Sequence, residues 1–101
     1  MLDHFAAIAD PTRRQILALV AERDRTVNEI AESFSVTRTA ISKHLLVLRD
    51  TGFITEQKQG RERLQCFNGE ALLPISNWVR TYEDFWERKL ARLKAMVEED
   101  Q

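Results

Sequence analysis

A single cysteine, Cys66, is all the thiol chemistry the chain contains. One sulfur excludes an intrachain disulfide and any thiolate metal site built within one chain. Long apolar runs are missing too, so no membrane-spanning helix of ~20 apolar residues is expected. The opening "MLDHFAAIADPTRR" has an early Asp and only a short apolar patch, which makes a poor secretory leader. A cytoplasmic protein is expected. No repeat, low-complexity tract or linker interrupts the 101 residues, a length that suits one domain spanning 1–101. At this size only ~60–65% of the unfolded surface is buried, so the core is modest. No nucleophile–base pair, phosphate loop or metal-ligand cluster stands out, which argues against an enzyme and against a cofactor. Nor is there net charge to speak of: the formal value is −1.

The charge is unevenly distributed, however. Between Thr37 and Arg63 stand six bases (Arg38, Lys43, Arg49, Lys58, Arg61, Arg63) and three acids (Asp50, Glu56, Glu62). From Gly69 onward five bases face seven acids. A chain of almost no net charge can therefore present a basic face to an anion.

The order of elements follows from capping signals and periodicity. A first short helix is expected over Leu2–Ala9, with Leu2, Phe5, Ala6 and Ile8 apolar. Asp10 is a good N-cap and Pro11 a good first helical residue for a second helix, whose buried face carries Ile16, Leu17, Leu19 and Val20. Thr26 and Glu29 have the spacing of a capping box, opening a third helix with Ile30, Ala31 and Phe34 inward. After the tight break "FSV", Thr37 caps a fourth helix that runs to about Asp50, and Gly52 stops it. Period-two alternation in 54–67, on both sides of Gly60, predicts a hairpin. "NGEALLP" reads as a loop or short helix. A last helix is expected from Ile75 to Glu98, with Ile75, Trp78, Val79, Tyr82, Phe85, Trp86, Leu90, Leu93, Met96 and Val97 on one face. The fold class is thus mainly α with a small β-hairpin wing: four helices, a hairpin and a fifth helix, the order of a winged helix-turn-helix.

The stretch "VTRTAISKHLLVLRDTG" has two faces. Ile41, Leu45 and Leu48 fall together and point to the core. Thr39, Ser42, Lys43 and Leu46 fall opposite, with Arg38 and Arg49 on one flank and His44 on the other. The positive pole of the helix and its free N–H groups lie at Thr37, Arg38 and Thr39. Lys43 and Arg38 can donate to guanine or phosphate, Thr39 and Ser42 can donate or accept, and Leu46 can meet a thymine methyl. Lys58, Gln59, Arg61 and Arg63 surround the Gly60 turn, where a wing tip would touch the phosphate backbone or minor groove. Any surface helix has a polar face. What singles this one out is its poverty in acids, combined with the order of elements and the basic wing. The candidate DNA-binding residues are Thr37, Arg38, Thr39, Ser42, Lys43, His44, Lys58, Gln59, Arg61 and Arg63.

The final helix, ~36 Å long at 1.5 Å per residue, carries an aromatic stripe too large for so small a core to cover. Either it folds back over its own domain, or it pairs with the Leu2–Ala9 helix across a two-fold axis. The second reading makes the chain a homodimer through Leu2, Phe5, Trp78, Val79, Tyr82, Phe85, Trp86, Leu90 and Leu93. A two-fold dimer would present its recognition helices ~34–36 Å apart, one helical turn of DNA.

Over nearly its whole length the chain resembles the ArsR/SmtB-type bacterial winged-helix repressors. "ADPTRRQILALV" is similar to the second-helix signature of that family. "VNEIAESFSVTRTAISKHLLVLRDTGFI" is similar to its helix-turn-helix, with the "S-[KR]-H-L" core at Ser42, Lys43, His44 and Leu45, and "GRERLQCFN" to its second wing strand. "ISNWV", Ile75 to Val79, resembles the SdpR-like autorepressor branch. The resemblance implies a homodimeric repressor bound to double-stranded DNA at a two-fold symmetric operator. Many members have Lys where this chain has Leu46. Metal-sensing members carry a C-x-C pair at the third helix, or Asp and His on the final helix. Here "TVNEIAESF" has neither Cys nor His, and the final helix has no His, so no metal ligands are expected. His44 is expected to pack or to contact phosphate, and Cys66 to act as a small hydrophobe. A metal- or ligand-responsive repressor of the same fold and a winged-helix protein-interaction module are the alternatives. No inducer is specified by these residues.

Overall fold

The structure, a computed structural model, describes residues 3–99. Leu2, expected at the dimer interface, lies outside the described residues. Helix α1 (His4–Ile8) starts later than expected because Asp3 is its N-cap, accepting the Ala6 N–H at 2.8 Å. Helix α2 (Pro11–Glu22) opens on the expected cap: Asp10 accepts the Arg13 N–H at 2.9 Å. A two-residue strand β1 (Arg25–Thr26) leads directly into α3 (Val27–Glu32), whose capping box is complete. The Glu29 N–H donates to the Thr26 hydroxyl at 3.2 Å, and the Thr26 N–H donates to the Glu29 carboxylate at 3.1 Å.

Helix α4 (Arg38–Asp50) is capped by Thr37, whose hydroxyl accepts the Ala40 N–H at 3.1 Å. It ends at Gly52, where φ is +83°. The Phe53 N–H reaches back to the Leu48 carbonyl at 2.9 Å and the Gly52 N–H to that of Arg49 at 3.1 Å, a Schellman closure. This stop turns the chain so that Phe53 drops into the core beside Leu48, both fully buried.

Strands β2 (Ile54–Gln59) and β3 (Glu62–Phe67) form the expected hairpin. Gly60, at φ +63°, takes the first central position of its two-residue turn, which puts Arg61 at the tip. The sheet has three strands rather than two, in the order β1-β3-β2, because Arg25 and Thr26 pair with Gln65 and Leu64. An N-cap residue is extended by nature, and Thr26 (φ −76°, ψ 163°) uses that geometry to add an edge strand.

The core lies between α2, α3, α4 and the base of the sheet: Ile16, Leu17, Val20, Ile30, Ile41, Leu45, Leu48, Phe53 and Ile54, with Ala7 of α1 and Ala71. The His4 ring meets Phe53 edge-on at 5.5 Å.

The C-terminal part departs from the expected single helix over 75–98. A 3₁₀ turn (Gly69–Leu72) leads into α5 (Leu73–Arg80), and a separate helix α6 covers Glu83–Glu99. The break has a local cause. The Thr81 hydroxyl donates to the Trp78 carbonyl at 2.6 Å, and the Thr81 and Tyr82 N–H groups bond three residues back rather than four. This back-bonding interrupts the α ladder. Seventeen residues make α6 about 25 Å long. It does not fold back over the domain, since none of its residues is buried. The radius of gyration is 18.5 Å, against ~13 Å for a compact domain of this length, with a long dimension of 63 Å. Among the described residues no helix is long and apolar enough to cross a membrane.

Candidate nucleic-acid interface

The burial of Ile41, Leu45 and Leu48 fixes the rotation of α4, and with it everything on the other side. Arg38, Thr39, Ser42, Lys43 and Leu46 are exposed and form a stripe along the outer face. Thr37 is also exposed, but its hydroxyl is already engaged as the cap. The first turn of α4 contains no acid, so its N–H groups and dipole add to the charge of Arg38.

The wing approaches the same end of the helix. Arg38, Arg61 and Arg63 converge on a cleft of about 290 Å³, whose remaining walls are Thr26, Val27, Asn28 and Glu62. Three arginines and one glutamate among the lining residues give the cleft a net positive charge, which favours an anion. Lys58 and Gln59 lie exposed on β2, opposite Arg63 and Glu62 on β3. Among the described residues, Arg38, Lys43, Lys58 and Arg61 make no ion pair, so their charges remain available to an external partner. Arg63 is shared, standing 3.7 Å from Glu56.

His44 is not brought onto this face. It is half-buried, and its Nδ1 lies 3.3 Å from an Arg13 guanidinium N–H and 3.9 Å from the Asp10 carboxylate. These two contacts hold the ring against the start of α2. Arg13 also donates to the carbonyls of Ala6 and Ala7. One guanidinium therefore joins the end of α1 to the middle of α4. Asp10 is held below the usual carboxylate range, first by the Arg13 N–H and further by the positive charges near it.

A second link, absent from the sequence reading, joins α4 to the wing. Arg49 donates to the Gln65 side-chain oxygen at 3.1 Å, and the Gln65 amide donates to Glu56 at 3.1 Å. Gln65 is the one buried polar side chain among the described residues. Its only sequence signal was a Gln on a strand next to two apolar positions.

Burial pushes the Cys66 thiol up, and the neighbouring Asp24 carboxylate adds to the effect, which keeps the sulfur protonated and unreactive. Among the described residues no three His, Cys, Asp or Glu side chains gather as a metal site would require.

Separate from these residues, α1, α5 and α6 carry an apolar surface. Phe5 meets Trp78 edge-on at 5.8 Å, and Trp78 meets Tyr82 at 5.6 Å across the α5–α6 break. Trp78, Val79, Tyr82, Phe85 and Trp86 line an open groove of about 290 Å³. Leu90 and Leu93 continue it along α6, both exposed.

A helix-turn-helix whose second helix is outwardly polar and basic, joined to a basic β wing, defines a winged helix-turn-helix DNA-binding protein. Residues 10–56 match the profile of the bacterial regulatory protein, arsR family. The transcriptional repressor SdpR of Bacillus subtilis is 36% identical over 78 residues, 77% of this chain and 87% of SdpR. The chain belongs to the ArsR family, and it is a transcriptional regulator with a winged helix-turn-helix DNA-binding domain, not an enzyme. Its similarity to SdpR agrees with the motif "ISNWV". An ArsR-like transcriptional regulator from Rhodococcus sp. RHA1 shares the fold with a TM-score of 0.69 at 33% identity, over 91% of this chain and 87% of that one. The homodimeric winged helix-turn-helix DNA-binding domain Mb0332 of Mycobacterium bovis gives a TM-score of 0.64 at 27% identity, over 80% and 75% of the two chains.

Proposed function

We propose that the chain is a cytoplasmic, homodimeric repressor that binds an operator of two-fold symmetry and represses its own gene. Helix α4 enters the major groove through Thr39, Ser42 and Lys43, with Thr37 and Arg38 at its leading end. The wing residues Lys58, Gln59, Arg61 and Arg63 hold the flanking backbone. The observation that carries this reading is the convergence of Arg38, Arg61 and Arg63 on one cleft beside the unpaired outer face of α4. A phosphate in that cleft would set the depth and direction of the helix in the groove, which is what backbone contacts do.

The dimer rests on the surface made by Phe5, Trp78, Val79, Tyr82, Phe85, Trp86, Leu90 and Leu93. Apolar side chains that are half exposed over a whole helix form a patch larger than monomers normally leave bare. A second copy covers it with identical chemistry and supplies the second recognition helix. The homodimeric state of the Mb0332 domain supports this.

Footprinting on the DNA upstream of its own gene tests the reading. Two protected half-sites with inverted sequence, centred about 10 base pairs or a multiple apart, are expected. The logarithm of the binding constant should fall linearly with the logarithm of salt concentration, with a slope of ~−0.9 per phosphate neutralised. Binding that ignores salt, or a single unrepeated footprint, would overturn it.

A further inference from the structure

We infer that Leu46 reads the 5-methyl group of a thymine in the major groove, and so sets base preference one helical turn beyond the polar contacts of α4. The inference rests on the DNA-binding reading above and assigns a base contact to one side chain within it.

Leu46 is 52% exposed, although it sits between the buried Leu45 and the half-buried Val47. The side chain is not drawn toward the core: Val47 packs against the buried cluster, and Leu46 does not. Its companions on the outer stripe are Thr39, Ser42 and Lys43, at spacings of seven, four and three residues. Those are the spacings that align side chains on one helix face. Two turns separate Thr39 from Leu46, about 10 Å along the axis, which spans roughly three base steps at 3.4 Å each. Leu46 therefore lies on the same face as Thr39, Ser42 and Lys43, about one turn further along the helix.

An isobutyl group makes no hydrogen bond, so it cannot distinguish donors from acceptors. The one apolar feature on a major-groove edge is the thymine methyl. Burying that methyl against Leu46 gains apolar contact, while a cytosine at the same place would leave its amino group facing hydrocarbon without a partner. Another protein is a poor occupant, since the stripe around Leu46 is polar and basic and its apolar part is one side chain wide.

Deoxyuridine differs from thymidine only by that methyl, which permits a direct test. Each thymine of the footprinted operator is replaced singly by deoxyuridine, and affinity is measured for the wild type, Leu46→Ala and Leu46→Gln. Exposure of the side chain means that both variants should fold, which circular dichroism checks. At one step in each half-site the wild type should lose about fourfold, the value of one buried methyl-sized group. Leu46→Ala and Leu46→Gln should show no loss at that step, while keeping any sensitivity elsewhere. Undiminished deoxyuridine sensitivity in Leu46→Ala, or a wild type indifferent to every replacement, overturns the assignment of Leu46 alone. Loss of the dimer in Leu46→Ala also overturns it, since the residue would then belong to a protein interface. A wild type that binds no upstream DNA at all brings down the regulatory reading with it.

Discussion

Arg49 in the last turn of α4 donates to the side-chain oxygen of Gln65, 3.1 Å away on the middle strand of the wing. Gln65 is fully buried, and its amide donates onward to Glu56 on β2. The recognition helix and the wing are thus tied by a satisfied polar link rather than by apolar packing alone. Such a link is directional: it fixes an angle as well as a distance. Substituting Gln65→Leu removes both hydrogen bonds and leaves Arg49 and Glu56 facing hydrocarbon. Because both partners retain some access to water, a loss of about 1–2 kcal/mol in unfolding free energy is expected. Operator affinity should fall as the wing loses its angle to α4. Chemical denaturation and gel-shift titration of the same preparation measure the two effects. An unchanged denaturation midpoint would show that the link contributes nothing.

That link also marks where sequence reading stops. The caps at Asp10, Thr26 and Thr37 and the stop at Gly52 were all legible, because each depends on residues within about five positions. The rotation of α4 was legible for a related reason, since the 3.6-residue period of Ile41, Leu45 and Leu48 dictates what lies opposite. Arg49 and Gln65, in contrast, are 16 residues apart, on a helix and a strand. Arg13 and His44 are 31 apart. Neither pairing leaves a periodic trace. The break at Thr81 was hidden because the apolar stripe runs across it with helical spacing on both sides. A two-residue strand such as β1 is too short to alternate.

Asp10 gives a pH-dependent signature. Its folded-state pKa lies below the ordinary value of 3.8, chiefly because its carboxylate accepts the Arg13 N–H. A depressed carboxyl stabilises the fold above its unfolded pKa, and the contribution disappears as pH falls through the folded value. Asp10→Asn keeps a capping oxygen but cannot titrate, so its stability should fall less steeply than the wild type's below about pH 4. Asp10→Ala should lose about 1 kcal/mol at neutral pH. Thermal melts of the three proteins from pH 2 to 7 make the comparison. Parallel curves for wild type and Asp10→Asn would remove Asp10 from the acid response.

Trp86 is 56% exposed, and α6 buries nothing of its own. A charge placed there should therefore leave the winged domain folded while making a two-fold apolar interface untenable. Trp86→Glu is expected to sediment as a monomer with a native helical spectrum. Its operator affinity should drop by at least 100-fold, because one recognition helix must then bind without the other. A dimer that survives this substitution would place the self-association surface elsewhere.

Lys43 and Arg61 separate the two ways in which this surface holds DNA. Lys43 lies on the outer stripe of α4 between Thr39 and Leu46, where a groove-bound helix presents side chains to base edges. Arg61 sits at the tip of the wing, next to the Gly60 turn, and lines the cleft with Arg38 and Arg63. Removing either charge should weaken binding, but not in the same way. Lys43→Ala should cost about 1–3 kcal/mol on the operator and less on unrelated DNA, lowering the specificity ratio. Arg61→Ala should weaken binding to both by similar factors and reduce the salt slope by about one unit, since a phosphate contact carries no sequence information. Arg38→Ala, at the junction of helix and cleft, should reduce the slope as Arg61→Ala does. Each variant should remain dimeric, because none of the three residues touches the aromatic surface. Titrations at four or more salt concentrations, on operator and scrambled DNA, distinguish these outcomes. An Arg61→Ala defect confined to the operator would mean that the wing reads sequence, and that the cleft does not seat the backbone.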